Sequence, residues 1–487
     1  MRDDQIRERL VDENPWWRGV ARDGEYQSWQ ESDPVLRARA RLDLGYRAGT
    51  LDDIARGVID DKLVVLRGPR RIGKSVLLKD TIAALCSRTD VDPRQVIYLP
   101  CDGMRSLDLN RAHKLGRDLT RSVGDKRRVW LLDEVTGIPG WSEALKYLRD
   151  NTLLGQDTVV STGSSWDEDA DVERNLLAGR AGASSTDRSR LVLPMTFREF
   201  LTASLASVPL PVSLPLWQIQ SPEAKRTAAD LELYISDLDL RWQAYLTSGG
   251  YPRAVAEFDA QGMVSDAFIA DLAAWLHQDV DPTSTADSLP QLLSQIQERS
   301  VAPLDVADLS SSLGFSKRNA AELRIDRLIS SFAALRCPQF DGEGNRVGRT
   351  QSKLYLVDPL LSWIPSRMRS GLSRPDFTHL TEAALGVALA RAVDSAQPGR
   401  WQSGDTIGYL RTGGGREIDF APISVPSGHS PMFTVPIEAT WVTSKWRQGA
   451  RSIEGRFKRG IIATRTILDT ENPAWAIPVP ILVLLLE

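Results

Sequence analysis

The chain has 487 residues, of which 42% are apolar and 25% charged; this excludes a mostly disordered or low-complexity protein and gives room for about three domains. Its 60 Lys plus Arg against 64 Asp plus Glu leave a formal net charge of −4, which excludes a globally basic nucleic-acid coat but not a local basic face. Three scattered cysteines (Cys86, Cys101, Cys337) and four scattered histidines form neither a disulfide framework nor a thiolate zinc site, a pattern that fits a reducing cytoplasm.

The charged start, MRDDQIRERL, lacks the apolar run of a secretion signal. Residues 1–60 read as an N-terminal arm, with aromatic anchors in NPWWR (Asn14–Arg18), Tyr26 and Trp29 expected to pack it onto the next domain. Residues 61–205 alternate strand-like runs (Leu63–Leu66, Val96–Leu99, Val129–Leu132, Thr158–Ser161, Leu191–Leu193) with helical patterns, as a doubly wound α/β domain does. Residues 206–297 read as a helical linker region. In it Phe268, Leu272, Trp275 and Leu276 recur at helical spacing as a core stripe. Residues 298–368 read as two helices and a turn, then a Gly-rich break, and residues 369–487 as one helix followed by strands. The terminal AWAIPVPILVLLL is too short and too Pro-interrupted to span a bilayer. It reads as a buried terminal strand, and no membrane partner is expected.

Three elements carry chemistry. The string GPRRIGKS (Gly68, Pro69, Arg70, Arg71, Ile72, Gly73, Lys74, Ser75) fits G-x-x-x-x-G-K-[ST], between an apolar strand and an amphipathic helix that continues through Val76. The glycines let backbone N–H groups wrap a phosphate, and the helix N-terminus adds its positive end. Lys74 should reach the β/γ-phosphates and the Ser75 hydroxyl should ligate Mg²⁺. Second, the strand Val129–Leu132 ends in two carboxylates. Asp133 is expected to hold Mg²⁺ and Glu134 to orient or deprotonate the attacking water. Third, Thr158–Ser165 ends in hydroxyl residues; Ser161, Thr162 and Ser164 all qualify for a polar contact near the γ-phosphate.

In this order the three elements resemble AAA-type P-loop ATPases with an adjacent catalytic glutamate. LAGR (Leu177–Arg180), LVLPMTFREFL (Leu191–Leu201) and the turn YLTSGGYPRAV (Tyr245–Val255) are similar to a prokaryotic branch that joins an AAA domain to a C-terminal region called DUF4143. The resemblance implies a P-loop α/β core, a helical region, a winged helix and an α/β nuclease-like C-terminal domain. It also makes Arg180 a candidate sensor or trans-acting finger, and a homo-oligomer would follow by resemblance alone.

Ser300–Arg336 resembles a winged helix-turn-helix. Val306, Leu309 and Leu313 form one face, Gly314 breaks the helix and Ser316 caps the next. The second helix buries Ala321, Ile325, Leu328 and Phe332 and is expected to expose Lys317, Arg318, Asn319 and Arg324, with a wing through Asp341–Gly344 flanked by Arg346, Arg349 and Lys353. Glu322, Asp326, Asp341 and Glu343 dilute that basic face, so contact with DNA and contact with protein stay open. The last segment looks like a PD-(D/E)XK nuclease fold with Glu382, Asp419 and Glu438 at the acidic positions. Thr440 stands where that class has lysine, and Lys445 is the nearest substitute; efficient cleavage is not expected. Lys445, Arg447, Arg451, Arg456, Lys458 and Arg459 form a basic run suited either to phosphates or to a solvated helix face. The reading that results is a cytoplasmic, Mg-dependent ATPase that couples ATP to movement of a DNA- or protein-contacting C-terminal region. The alternatives are a nucleotide-gated DNA-binding regulator with negligible turnover and a degenerate metal-dependent nuclease.

Overall fold

The computed structural model describes residues 1–18, 25–164, 189–285, 287–315, 318–348, 350–412, 415–427 and 430–487. They form two compact units, Met1–Leu193 and Pro194–Glu487.

The first unit is built on a five-stranded sheet: β1 (Leu63–Arg67), β2 (Val96–Pro100), β3 (Val129–Asp133), β4 (Thr158–Gly163) and β5 (Ser189–Leu191). The spatial order is β2-β3-β4-β1-β5 and every pairing is parallel. Both faces are covered, so β1, β3 and β4 are buried along their whole length and read as continuous rather than alternating apolar runs. The fifth strand begins two residues before the expected Leu191–Leu193 run and is only half-buried, because it pairs on one side alone, with β1.

The sheet has β2 at one edge, and the N-terminal residues cap it. Helix α1 (Asp3–Asp12) leads into NPWW, where the Asn14 amide donates to the Tyr98 carbonyl at 2.8 Å and its oxygen accepts from the Tyr98 N–H at 2.7 Å. The indole N–H groups of Trp16 and Trp17 both donate to the Val96 carbonyl, at 3.0 and 2.9 Å. Backbone groups that would otherwise lie bare on an edge strand are thereby satisfied. The tryptophans pack the arm, as their clustering predicted, and Trp29 joins them 5.0 Å from Trp16.

In the second unit, α2 (Asp266–Val280) buries Phe268, Leu272, Trp275 and Leu276 as expected of a core stripe. Helices α3 (Val306–Ser312) and α4 (Arg318–Ser330) flank Gly314, which adopts φ +73°. Strand β6 (Ala334–Cys337) follows, with β7 (Gln339–Phe340) and β8 (Lys353–Leu356); β6 and β8 pair antiparallel. Beyond them lies the long α5 (Phe377–Ala396), then β9 (Tyr409–Arg411), β10 (Glu417–Ile418), β11 (Ser424–Ser427) and β12 (Ser430–Phe433). A parallel sheet of β13 (Ile437–Ala439), β14 (Gly460–Thr464) and β15 (Ala474–Pro478) completes the unit. The expected terminal strand is only half right. AWAIP is β15, but Val479–Leu486 turns into a buried helix, because Pro478 ends the sheet ladder and Pro480 fits a first helical turn. No helix among the described residues is long and apolar enough to cross a membrane.

Candidate functional site: a loop-and-carboxylate edge

The end of β1 delivers Gly68 close to the chain entering from β5. A Cβ at Gly68 would lie 1.9 Å from the Val192 carbonyl oxygen, so only glycine fits. Gly73, at φ +102°, turns the loop into the helix Lys74–Cys86, whose N-terminus carries no side-chain cap. Its first-turn N–H groups stay open to an anion rather than to a Ser or Asp side chain. Arg70 and Arg71 are exposed, Pro69 and Ile72 buried, Ser75 and Val76 half-buried. Lys74 is 4% exposed; its Nζ donates to the carbonyls of Gly68 and Pro69 at 3.0 and 3.1 Å and lies 3.7 Å from Glu134 Oε1. Burial works against the charge of Lys74 and lowers its pKa, partly offset by Glu134 and Asp133.

Strand β3 ends at the same edge. Asp133 is buried, and both of its oxygens accept from neutral hydroxyls: Oδ1 from Thr162 at 2.7 Å and Oδ2 from Tyr98 at 2.8 Å. Thr162 Oγ1 also accepts the Glu134 N–H at 2.7 Å. Glu134 takes φ +55°, an uncommon conformation for a non-glycine residue, which turns its side chain out of the strand toward Lys74. Of the three hydroxyls left open by the sequence, Thr162 meets the carboxylate strand, whereas Ser161 donates to the Val64 carbonyl at 3.3 Å, away from the loop. Arg180 and Ser165 lie outside the described residues. Tyr98 went unnoticed in the sequence. Its only signal was an aromatic at the centre of the strand neighbouring Asp133, and burial beside that carboxylate raises its pKa and keeps the phenol a donor.

In the second unit the GGYP turn proves architectural. Gly249 sits at φ +66°, and a Cβ there would come 2.1 Å from Asp358 Oδ1. The Gly250 N–H donates to Asp358 Oδ2 at 2.7 Å, and burial pushes that carboxyl up to about 6. The helix-turn-helix reading needs a correction. Arg324 does not face solvent; its Nε donates to Asp281 Oδ2 at 2.6 Å and its guanidinium stacks 4.2 Å over Phe315. Arg318 and Asn319 are exposed, while Ser316, Lys317 and Arg349 lie outside the described residues.

The three acidic residues singled out near the C-terminus do gather, around a lysine the sequence did not nominate for them. Lys353 Nζ, fully buried on β8, lies 2.9 Å from Glu382 Oε1 and 2.8 Å from both Asp419 Oδ1 and Glu417 Oε1. Tyr355 donates to Glu382 Oε1 at 2.7 Å, and Asp419 Oδ2 accepts the Ala439 N–H at 2.9 Å. Burial, then the neighbouring carboxylates, raise the pKa of Glu382 and Glu438. Burial opposes the charge on Lys353, but Asp419, Glu382 and Glu417 outweigh it and hold the ammonium charged. Lys445, the nearest substitute by sequence, is exposed instead.

Residues 60–201 match the family model described as AAA domain. That match supports an AAA-type P-loop ATPase, with the nucleotide binding that such domains imply. Residues 239–363 match a domain of unknown function (DUF8612), so the expected likeness to DUF4143 is replaced by this one. None of the curated proteins compared matches the chain significantly. Among solved structures, the Walker-type ATPase PABY2304 of Pyrococcus abyssi is similar at 14% identity and a TM-score of 0.38, with 62% of this chain and 91% of that one covered. A Thermotoga maritima RuvB variant gives 14% and 0.28 over 62% and 89% of the two chains. The Aeropyrum pernix ORC1 protein in complex with DNA gives 13% and 0.26 over 71% and 91%.

Proposed function

We propose that the first unit binds Mg-ATP against the Gly68–Ser75 loop and hydrolyses it. The observation carrying this reading is one sheet edge that gathers a buried ammonium, Lys74, with a glutamate 3.7 Å away and a hydroxyl-held aspartate beside it. The Asp133 oxygens are held by neutral O–H donors, which orient the carboxylate without cancelling its charge and fit a divalent cation. Ser75 and Asp133 would hold Mg²⁺, which neutralises phosphate charge when bound. On this reading Gly68, Pro69, Arg70, Arg71, Ile72, Gly73 and Val76 line the phosphates with backbone N–H groups, Pro69 excepted because it has none. Lys74 leaves the loop carbonyls for a phosphate oxygen, Glu134 orients the water and takes its proton, and Thr162 holds the carboxylate strand in register. Arg180 is proposed as the finger residue.

Replacing Lys74 with Ala should abolish ATP binding, and Glu134→Gln should trap ATP while lowering turnover on the order of a hundredfold or more. Phosphate release and nucleotide retention measured on both purified variants test this; turnover at the wild-type rate in either one removes the mechanism. For the second unit we propose contact with duplex DNA, served by exposed Arg318 and Asn319 and by the exposed basic run Lys445–Arg459, with ATP turnover coupled to that contact. Duplex DNA should then change the phosphate-release rate, in a salt-dependent way.

A further inference from the structure

A nuclease-like reading of the C-terminal segment calls for a divalent metal among Glu382, Asp419 and Glu438, and the residues present do not fit one. Among the described residues no group of three or more His, Cys, Asp or Glu side chains is arranged to hold a metal ion. We infer that the Lys353 ammonium is the resident cation of this cluster, standing where a divalent metal would stand, and that the cluster becomes a divalent-cation site only when that lysine is removed.

The geometry supports this in three ways. An ammonium has three N–H donors, and here each meets a different carboxylate, those of Glu382, Glu417 and Asp419, at 2.8–2.9 Å. Its side chain is 0% exposed, so water cannot take over any of these contacts. The three oxygens converge on one point at a radius only slightly longer than the 2.0–2.6 Å that Mg²⁺, Mn²⁺ or Ca²⁺ would require. A fourth carboxylate, Glu438, adds a buried oxygen, Oε2, with no hydrogen-bond partner among the described residues. The lysine therefore supplies positive charge to the site from inside the chain. It also ties β8 to α5 and β10.

The β8 stretch around Lys353 borders a cavity of about 480 Å³, also lined by Arg318, Arg336 and Gln351.

The test uses the full chain without nucleotide, with Mn²⁺ as the probe. Lys353→Ala should bind one more Mn²⁺ per chain than wild type, with Kd on the order of 10⁻⁵ M, read by electron paramagnetic resonance. Its thermal midpoint, lowered without metal, should recover in Mn²⁺ by a shift the wild type does not show. Adding Asp419→Asn should remove both gains, and Lys353→Met, which refills the space with apolar atoms, should show neither. Should Lys353→Ala not fold, Lys353→Ala/Glu417→Gln, which sheds one bared charge, takes its place with the same readouts. The inference is overturned if wild type itself holds a Mn²⁺ that Asp419→Asn abolishes, because the cluster is then a native metal site. It is equally overturned if the truncated variant folds and gains no Mn²⁺.

Discussion

Asp133 and Asp419 are both buried or nearly buried aspartates at strand ends, each surrounded by groups that fix both of its oxygens. They differ in what fixes them. Asp133 accepts from two neutral hydroxyls, Tyr98 and Thr162, whereas Asp419 accepts from an ammonium and a backbone N–H. A hydroxyl orients a carboxylate without cancelling its charge; an ammonium does both. The first arrangement leaves an oriented anion for a cation from solution, and the second has its cation inside the chain. Geometry alone makes the two look alike, and the charge of the donor separates them.

The sharpest way to break this contrast is to remove the internal cation and the proposed ligand of an external one in turn. Lys353→Met should lower unfolding free energy by about 3–5 kcal/mol, since it strands three carboxylates in a buried site. Asp133→Asn should change stability by about 1 kcal/mol or less, yet lower ATP turnover on the order of a hundredfold. Denaturant unfolding and phosphate release on both variants decide the matter. Equal stability losses would mean that Asp133 also serves a structural charge balance.

A smaller effect is expected from the arm that holds Tyr98 in place. Asn14→Ala leaves the buried N–H and C=O of Tyr98 without their partner, at a cost of about 2 kcal/mol. Urea midpoints would show it, and the same variant should loosen the hydroxyl grip on Asp133. An unchanged midpoint would mean that the tryptophans alone cap the edge strand.

Much of the first site was legible because its chemistry is local. Gly68–Ser75 is contiguous, Asp133 and Glu134 follow an apolar run, and parallel pairing brings Thr162 beside them once strand order is known. Tyr98 escaped because nothing in a strand's apolar pattern marks which aromatic carries a working hydroxyl. The second site was half legible. Glu382, Asp419 and Glu438 could be picked out only through the resemblance to a nuclease fold, and Lys353 lies 29 residues from Glu382 and 66 from Asp419 in sequence, on a strand of another segment. Its place depends on how β8 meets α5, and no local periodicity encodes that. Arg324 misled for a related reason: the helical pattern places it on the outer face, but Asp281 and Phe315 come from other segments and cover it. The terminal helix was hidden because VPILVLLL is apolar all round, so neither a period of two nor one of 3.6 shows.

The finest test of the contrast lies at Tyr98. Tyr98→Phe removes one O–H donor from Asp133 and keeps the ring that packs β2, so stability should fall by only about 1 kcal/mol. With Oδ2 no longer held, the carboxylate is free to rotate about its remaining bond to Thr162, and a bound cation would have to order it. The Mg²⁺ concentration giving half-maximal ATP turnover should therefore rise by about 3- to 10-fold, while the rate at saturating Mg²⁺ changes less. A Mg²⁺ titration at saturating ATP separates the two quantities. If the maximal rate falls and the Mg²⁺ requirement stays put, Tyr98 acts on the fold of the edge and not on the orientation of the carboxylate, and a hydroxyl-held aspartate would no longer be what distinguishes the first site from the second.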